Sequence, residues 1–124
     1  MVCVILVAED EVLVRNFARH ILEAEGHDVL AAADGAEALE ISRHYTGTID
    51  LLITDIVMPR LDGLGLIRQI LQERPGLRIL IISGALSDAK KPPAAVPVLR
   101  KPFPPTVFRD KVRELLETPP AQLP

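Results

Sequence analysis

The stretch Val2-Cys3-Val4-Ile5-Leu6-Val7-Ala8 decides the fold class, because it is apolar at every position and rich in β-branched residues. A strand that is buried on both faces has this composition, and such strands belong to parallel sheets covered by helices. The next segment changes to the period of a helix face, with apolar residues at i, i+3, i+4 and i+7: Val14, Phe17, Ala18 and Ile21. The two patterns together predict a strand followed by a crossover helix.

The same alternation of strand and helix patterns continues along the chain. Further apolar runs cover residues 29–33, 49–54, 77–82 and, more weakly, 96–99. Asp34 and Glu37 have the spacing of a capping box at the start of the second helix. We therefore predict an α/β fold with a doubly wound, five-stranded parallel sheet and helices on both faces.

Prolines make the C-terminal third irregular. Pro92 and Pro93 interrupt the segment between the fourth and fifth strands, and a proline inside a helix costs about 3 kcal/mol. We therefore predict that the crossover helix within residues 85–95 is short or disordered. Pro97 lies in the fifth predicted strand, which places that strand at an edge of the sheet.

Length and composition limit the class of protein. The 124 residues predict one domain, over residues 1–117, with a Pro-rich tail over residues 118–124. A net charge of -3 argues against direct nucleic-acid binding. The single cysteine, Cys3, excludes an internal disulfide and a multi-thiolate metal site. The first apolar run is too short to span a bilayer and follows no basic leader, so we expect a cytoplasmic protein without membrane insertion.

Polar side chains stand at the carboxyl ends of four predicted strands, where ligands bind in open parallel sheets. They are Glu9 and Asp10, Asp55, Ser83, and Lys101. Carboxylates that lie about 5 Å apart repel each other by roughly 3 kcal/mol per pair, so the cluster needs a cation. Lys101 is one candidate, and a divalent ion is the other. Ligands that are oxygens only favour Mg²⁺ or Ca²⁺ over zinc.

Asp55 is the best candidate nucleophile, because it stands alone at the end of a central strand. An aspartate can accept a phosphoryl group as an acyl phosphate. Mg²⁺, a lysine and a hydroxyl would stabilise the oxygens of the transferred group. The residues at the strand ends therefore indicate a phosphoacceptor site.

Four pieces of the sequence, taken together and in order, resemble the receiver domain of bacterial two-component response regulators. They are Leu6–Glu11, Asp50–Pro59 with Leu61-Asp62-Gly63, Ile81–Gly84, and Lys101–Phe103. The resemblance extends from about Val4 to Leu116. It implies a flavodoxin-like sheet of strand order 2-1-3-4-5. It also implies a signalling phosphoacceptor that catalyses only its own phosphorylation and dephosphorylation.

The resemblance assigns the phosphoryl group and the metal to particular residues. Asp55 would accept the phosphoryl group from a phosphohistidine of a histidine kinase or a histidine phosphotransfer protein. Glu9 and Asp10 match the acidic pair that binds Mg²⁺. Asp55 and the backbone carbonyl of Val57 would be further ligands.

The resemblance also implies how the signal leaves the site. Ser83 matches the switch hydroxyl, Lys101 matches the family's lysine, and the bond from Lys101 to Pro102 is expected to be cis. Two features depart from the family pattern: Val98 stands where an aromatic switch residue is frequent, and the segment between Ser83 and Lys101 is shorter than usual. We expect no output domain, and therefore a single-domain regulator that acts on an unknown protein target. A piece of a longer regulator is the alternative.

Three other functions compete with this interpretation. A flavodoxin-like electron carrier is disfavoured, because the acidic residues 9–11 would repel a flavin phosphate. A phosphatase with an aspartate nucleophile commonly has a second aspartate two positions on, where this chain has Val57. A receiver-like interaction module that acts without phosphorylation stays open because of Val98.

Overall fold

Five parallel strands form one sheet in the structure, a computed structural model that describes residues 2–84 and 92–117. The strands are β1 (Val4–Ala8), β2 (Asp28–Ala32), β3 (Leu51–Thr54), β4 (Arg78–Ser83) and β5 (Val98–Arg100). Their order is β2-β1-β3-β4-β5. The predicted strand order is therefore confirmed.

The described residues contain helices that connect these strands. They are α1 (Val12–Ala24), α2 (Gly35–His44), α3 (Gly63–Glu73) and α4 (Pro105–Glu117). The predicted short crossover helix falls mainly on residues 85–91, which lie outside the described residues. Residues 92–95, which the prediction also covered, form a turn and no helix.

The side chains of each strand divide alternately between two hydrophobic clusters, as the two-residue period of a strand requires. Leu6 and Leu52 belong to the cluster that includes residues of α2 and α3. Ile5 and Ile53 belong to the cluster that includes residues of α1 and α4. The sheet therefore has a helical layer on each face, and its polar strand ends are left at one edge.

Side-chain caps fix the loops that follow β2 and β3. Asp34 accepts a hydrogen bond from the Glu37 N–H at 2.8 Å, and the Glu37 carboxylate accepts one from the Ala33 N–H at 2.9 Å. The predicted cap by Asp34 is therefore present, but Glu37 reaches the N–H of the preceding residue, whereas a standard capping box uses the N–H of the cap residue itself. Asp62 caps α3 in the same way, because its carboxylate accepts from the Gly65 N–H at 2.8 Å. The loop that begins at Asp55, directly after β3, therefore leads into a helix whose N-terminus is fixed by this cap.

β5 lies at the edge of the sheet and pairs with β4. Pro97 directly precedes β5, and its carbonyl accepts a hydrogen bond from the Ile81 N–H at 3.0 Å. The edge position predicted for this strand is confirmed. Within residues 2–84 and 92–117, no helix has the length and apolar character needed to cross a membrane.

Candidate functional site

Lys101 joins the carboxyl ends of β1, β3 and β5 through its ammonium group. Its Nζ lies 2.6 Å from Glu9 Oε1, 2.8 Å from Asp55 Oδ2 and 3.4 Å from Glu11 Oε1. Each of the three carboxylates offers an oxygen within 4.8 Å of the others. The sheet thus brings three negative charges around one positive charge.

Asp55 is held in place by the backbone around it. Its Oδ1 accepts a hydrogen bond from the Ile56 N–H at 2.6 Å. Its own N–H donates to the carbonyl of Ala8 at 3.1 Å, and the Thr54 hydroxyl donates to its carbonyl at 2.8 Å. One carboxylate oxygen of Asp55 is therefore fixed by the backbone, while the other faces Lys101.

Glu9 is completely buried, although it carries a carboxylate. Its Oε2 accepts a hydrogen bond from the Glu11 N–H at 3.0 Å, and its backbone carbonyl accepts one from Arg15 at 2.7 Å. Its Oε1 forms an ion pair with Lys101 but receives no hydrogen bond of normal geometry. Burial raises the pKa of Glu9 above its usual value, although Lys101 acts in the opposite direction.

Lys101 is charged in this environment. Burial favours its neutral form, but its contacts with Asp55 and Glu9 outweigh that effect and raise the pKa of Lys101 above its usual value. The side chain is only 12% exposed. The Lys101–Pro102 peptide bond is cis, as the resemblance implied. Lys101 is thus a permanent cation beside the candidate nucleophile.

The other predicted site residues lie near this centre in different ways. Ser83 is buried at the end of β4, and its carbonyl accepts from the Lys101 N–H at 2.9 Å. Val57 lies two residues after Asp55 with an exposed side chain. Because that side chain has no donor atom, the backbone carbonyl is the group of Val57 that could bind a metal. Asp10 is exposed and does not belong to the close group of carboxylates found among the described residues.

Glu11 is a member of that carboxylate group which the sequence analysis did not single out. β1 ends at Ala8 and the chain bends at Asp10, so the two-residue period of a strand does not extend to Glu11. The run of three acidic residues contained no signal that distinguishes Glu11 from Asp10.

The loop between β3 and α3 contains further contacts that the sequence analysis missed. The Gly63 N–H donates to the Ile56 carbonyl at 2.8 Å. Arg60 adopts a positive φ of 68°, which residues with a side chain rarely do. Its guanidinium forms a two-point ion pair with Asp34, at 2.8 and 3.1 Å. This pair ties the loop after Asp55 to the start of α2.

The residues present fit a magnesium ion. The available donors are oxygens only, which hard dications prefer. Glu9 Oε1 is buried, and its ion pair with Lys101 does not have the geometry of a hydrogen bond, so this oxygen has capacity to bind a second cation. The three carboxylates carry more negative charge than Lys101 neutralises. Glu9, Asp55 and the carbonyl of Val57 could hold the ion, with Asp10 or Glu11 at the exposed side.

A cavity of about 490 Å³ adjoins the site between α1 and the segment after β5. Glu11 and Lys101 line its polar end. The rest of the lining is largely apolar and includes Leu13, Phe17 and Phe103. Leu13 is 83% exposed, so the acceptor site lies beside an apolar surface.

The sequence matches the family described as the response regulator receiver domain over residues 5–113. It is 39% identical to the response regulator receiver protein CpdR of Brucella abortus over 115 residues, which are 90% of this chain and 92% of CpdR. It is 36% identical to the sensor kinase CckA of Brucella abortus over 91% of this chain, and 37% identical to the aerobic respiration control protein ArcA of Escherichia coli over 90%. The chain spans 12% of the length of CckA and 48% of the length of ArcA.

Solved structures give the same result. The crystal structure of the receiver domain from the hybrid histidine kinase CckA superposes with a TM-score of 0.81 at 38% identity, and it covers 92% of this chain and 99% of that one. The chemotaxis protein CheY4 of Vibrio cholerae superposes with a TM-score of 0.82 at 26% identity, over 93% of this chain and 99% of that one.

Proposed function

This chain belongs to the response regulator receiver domain family, and on that premise we propose that Asp55 accepts a phosphoryl group from a phosphohistidine in a magnesium-dependent reaction. The observation that carries the proposal is the position of Asp55. Its carboxylate is buried at the end of a central strand, 2.8 Å from the ammonium of Lys101.

The transfer is a substitution at phosphorus. An Asp55 oxygen attacks the phosphorus and forms an acyl phosphate, and the bond from phosphorus to the imidazole nitrogen breaks. The nitrogen leaves with the bonding electron pair. The Ile56 N–H orients the nucleophile through its hydrogen bond to Oδ1. We propose that the ammonium of Lys101 and the hydroxyl of Ser83, at the ends of β5 and β4, contact the transferred oxygens.

Glu9, Asp10, Asp55 and the carbonyl of Val57 are the residues that we propose hold Mg²⁺. When it is bound, the ion supplies positive charge that stabilises the oxygens of the transferred group. Glu9 contributes a buried carboxylate whose Oε1 contacts Lys101 without a hydrogen bond of normal geometry. Arg15 holds the backbone of Glu9 through its carbonyl, so this ligand is fixed before any ion arrives.

We propose that the phosphoryl donor is a histidine kinase or a histidine phosphotransfer protein. The donor must reach a carboxylate that lies at the rim of the sheet, and the apolar surface around Leu13 adjoins that point. Phosphorylation would change the affinity for a downstream protein target, and neither membrane insertion nor direct nucleic-acid binding is part of the proposal. We place the reaction in the cytoplasm, within a domain of residues 1–117 that is followed by a Pro-rich tail over residues 118–124.

A second candidate is a receiver-like interaction module that acts without phosphorylation. Val98 favours it, because this β5 side chain is half-buried against the core cluster and offers no ring that could switch between two positions. On this alternative, the acceptor residues would stabilise the fold without taking a phosphoryl group.

Intact mass after incubation with acetyl phosphate tests the proposal directly. We expect wild type to gain one phosphoryl group with Mg²⁺ present and none with a chelator. Asp55→Asn should gain none, whereas the matched control Asp110→Asn, at an exposed position of α4, should behave as wild type. Failure of wild type under conditions that phosphorylate a known receiver domain would favour the second candidate.

A further inference from the structure

The ammonium of Lys101 has three N–H donors, and three carboxylates surround it. The nearest oxygens belong to Glu9 at 2.6 Å, Asp55 at 2.8 Å and Glu11 at 3.4 Å. A phosphoryl oxygen that arrives at Asp55 adds a fourth acceptor to this group, so it competes with the carboxylates for the N–H donors of Lys101.

The three carboxylates differ in how easily they can move away. Glu9 is completely buried and its second oxygen is held by a backbone N–H. Asp55 is the acceptor itself, and its second oxygen is also held by a backbone N–H. The side chain of Glu11 is 63% exposed and makes the longest of the three contacts. Glu11 is thus the group that can leave for solvent.

We propose that Glu11 occupies the place on Lys101 that the phosphoryl group takes, and that this competition slows the phosphorylation of Asp55. The inference rests on the proposed function. It concerns a residue that the proposed metal site of Glu9, Asp10, Asp55 and Val57 does not include, although Glu11 is close enough to be an alternative to Asp10. Glu11 affects the reaction by contacting Lys101 and by its own negative charge, and it does not touch the reacting atoms. It is therefore a positioning residue.

The surroundings of Glu11 permit the movement. Glu11 directly precedes α1, and its side chain makes no cap hydrogen bond to that helix. It lines the cavity of about 490 Å³ beside the site, which gives the displaced side chain room. Its carboxylate also repels an anionic phosphodonor, so competition for Lys101 and repulsion act in the same direction.

The test compares Glu11→Gln with Glu23→Gln. Both variants lose one negative charge, but Glu23 is an exposed residue near the other end of α1. The rate of phosphorylation by acetyl phosphate is measured by intact mass at saturating Mg²⁺. In this reaction an Asp55 oxygen attacks phosphorus, and acetate leaves with the bonding electron pair. The contact between Glu11 and Lys101 is exposed and therefore weak. Its loss in Glu11→Gln should raise the rate of phosphorylation about two- to fivefold. Glu23→Gln should leave the rate unchanged.

A second readout does not depend on phosphorylation. The midpoint of thermal unfolding is followed against Mg²⁺ concentration, which gives the metal affinity of each variant. A competitor for Lys101 should leave that affinity within about threefold of wild type. A metal ligand or its immediate support would lower the affinity about tenfold or more.

These outcomes separate the inference from the proposed function. Equal rates for Glu11→Gln and Glu23→Gln, with wild type phosphorylated, overturn the inference alone. A tenfold loss of Mg²⁺ affinity in Glu11→Gln also overturns it, since Glu11 would then be part of the metal site. Faster phosphorylation of Glu11→Gln than of both wild type and Glu23→Gln, at unchanged Mg²⁺ affinity, supports the inference. If neither protein takes a phosphoryl group, the proposed function and the inference both fail.

Discussion

Gly63, the first residue of α3, packs directly against the backbone carbonyl of Asp55. A Cβ on residue 63 would lie 1.9 Å from that oxygen, which is far inside van der Waals contact. The N-terminus of α3 therefore approaches the acceptor residue as closely as a glycine permits. Backbone geometry at Asp55 and the docking of α3 are thus determined together.

Gly63→Ala should destabilise the domain by about 2–3 kcal/mol or more, because the backbone at Asp55 or α3 must move to admit the methyl group. Urea unfolding measures the loss. Gly76→Ala is the matched control, since a Cβ at residue 76 meets nothing within 4 Å. We expect the control to be neutral or more stable by up to about 1 kcal/mol. Equal effects of the two substitutions would contradict the close packing.

Lys101→Ala should lower the free energy of unfolding by about 3 kcal/mol without metal, because it leaves the carboxylates of Glu9 and Asp55 together without a cation. Mg²⁺ should then restore more stability to the variant than it adds to wild type. Urea unfolding with Mg²⁺ or with a chelator measures both quantities. Lys111→Ala, which loses an exposed contact with Glu114, should cost no more than about 1 kcal/mol in either condition. If Mg²⁺ raised the free energy of unfolding equally in wild type and Lys101→Ala, Lys101 and Mg²⁺ would not be neutralising the same carboxylates.

The ion pair between Asp34 and Arg60 should make stability depend on pH. The hydrogen bond from Arg60, with help from the Glu37 N–H, lowers the pKa of Asp34 below its usual value. A lowered pKa in the folded state means that the contribution is complete above the unfolded value, which is about 4. It is then lost as the pH falls towards the folded value.

Asp34→Asn isolates this effect, because asparagine still caps α2 but forms no ion pair. The difference in unfolding free energy between wild type and the variant should be up to about 1 kcal/mol at pH 7, since Arg60 is 63% exposed. It should shrink as the pH is lowered below about 4. Urea unfolding across that pH range measures it. A difference that stays constant with pH would assign the effect to the cap and not to the charge.

Arg60 should be more tolerant of glycine than of alanine. Both substitutions remove the ion pair with Asp34, but only glycine adopts a positive φ without steric cost. Arg60→Gly should therefore be more stable than Arg60→Ala by about 1 kcal/mol. Urea unfolding of the two variants side by side makes the comparison. Equal stabilities would mean that the loop changes conformation once the guanidinium is gone.

Much of the fold could be predicted from local patterns. The apolar runs at β1 and β4 and the helical period of α1 follow from burial, which the sequence reports directly. Asp34 and Asp62 stand at helix starts, and both cap their helices. The crossover within residues 85–91 lies outside the described residues, so that prediction remains a prediction.

The sequence by itself determined which groups reach the edge of the sheet. Glu9, Asp55, Ser83 and Lys101 each follow or end a strand pattern, and parallel strands deliver their carboxyl ends to one edge. Tertiary structure alone decided which side chains meet there. The orientation of Glu11 towards Lys101, while Asp10 faces solvent, depends on backbone torsions after the strand ends. The contact of Gly63 with Asp55 and that of Arg60 with Asp34 join segments that are distant in sequence or separated by a loop. Hydrophobic periodicity reports burial relative to a core, and it contains no information on how irregular segments pack against each other.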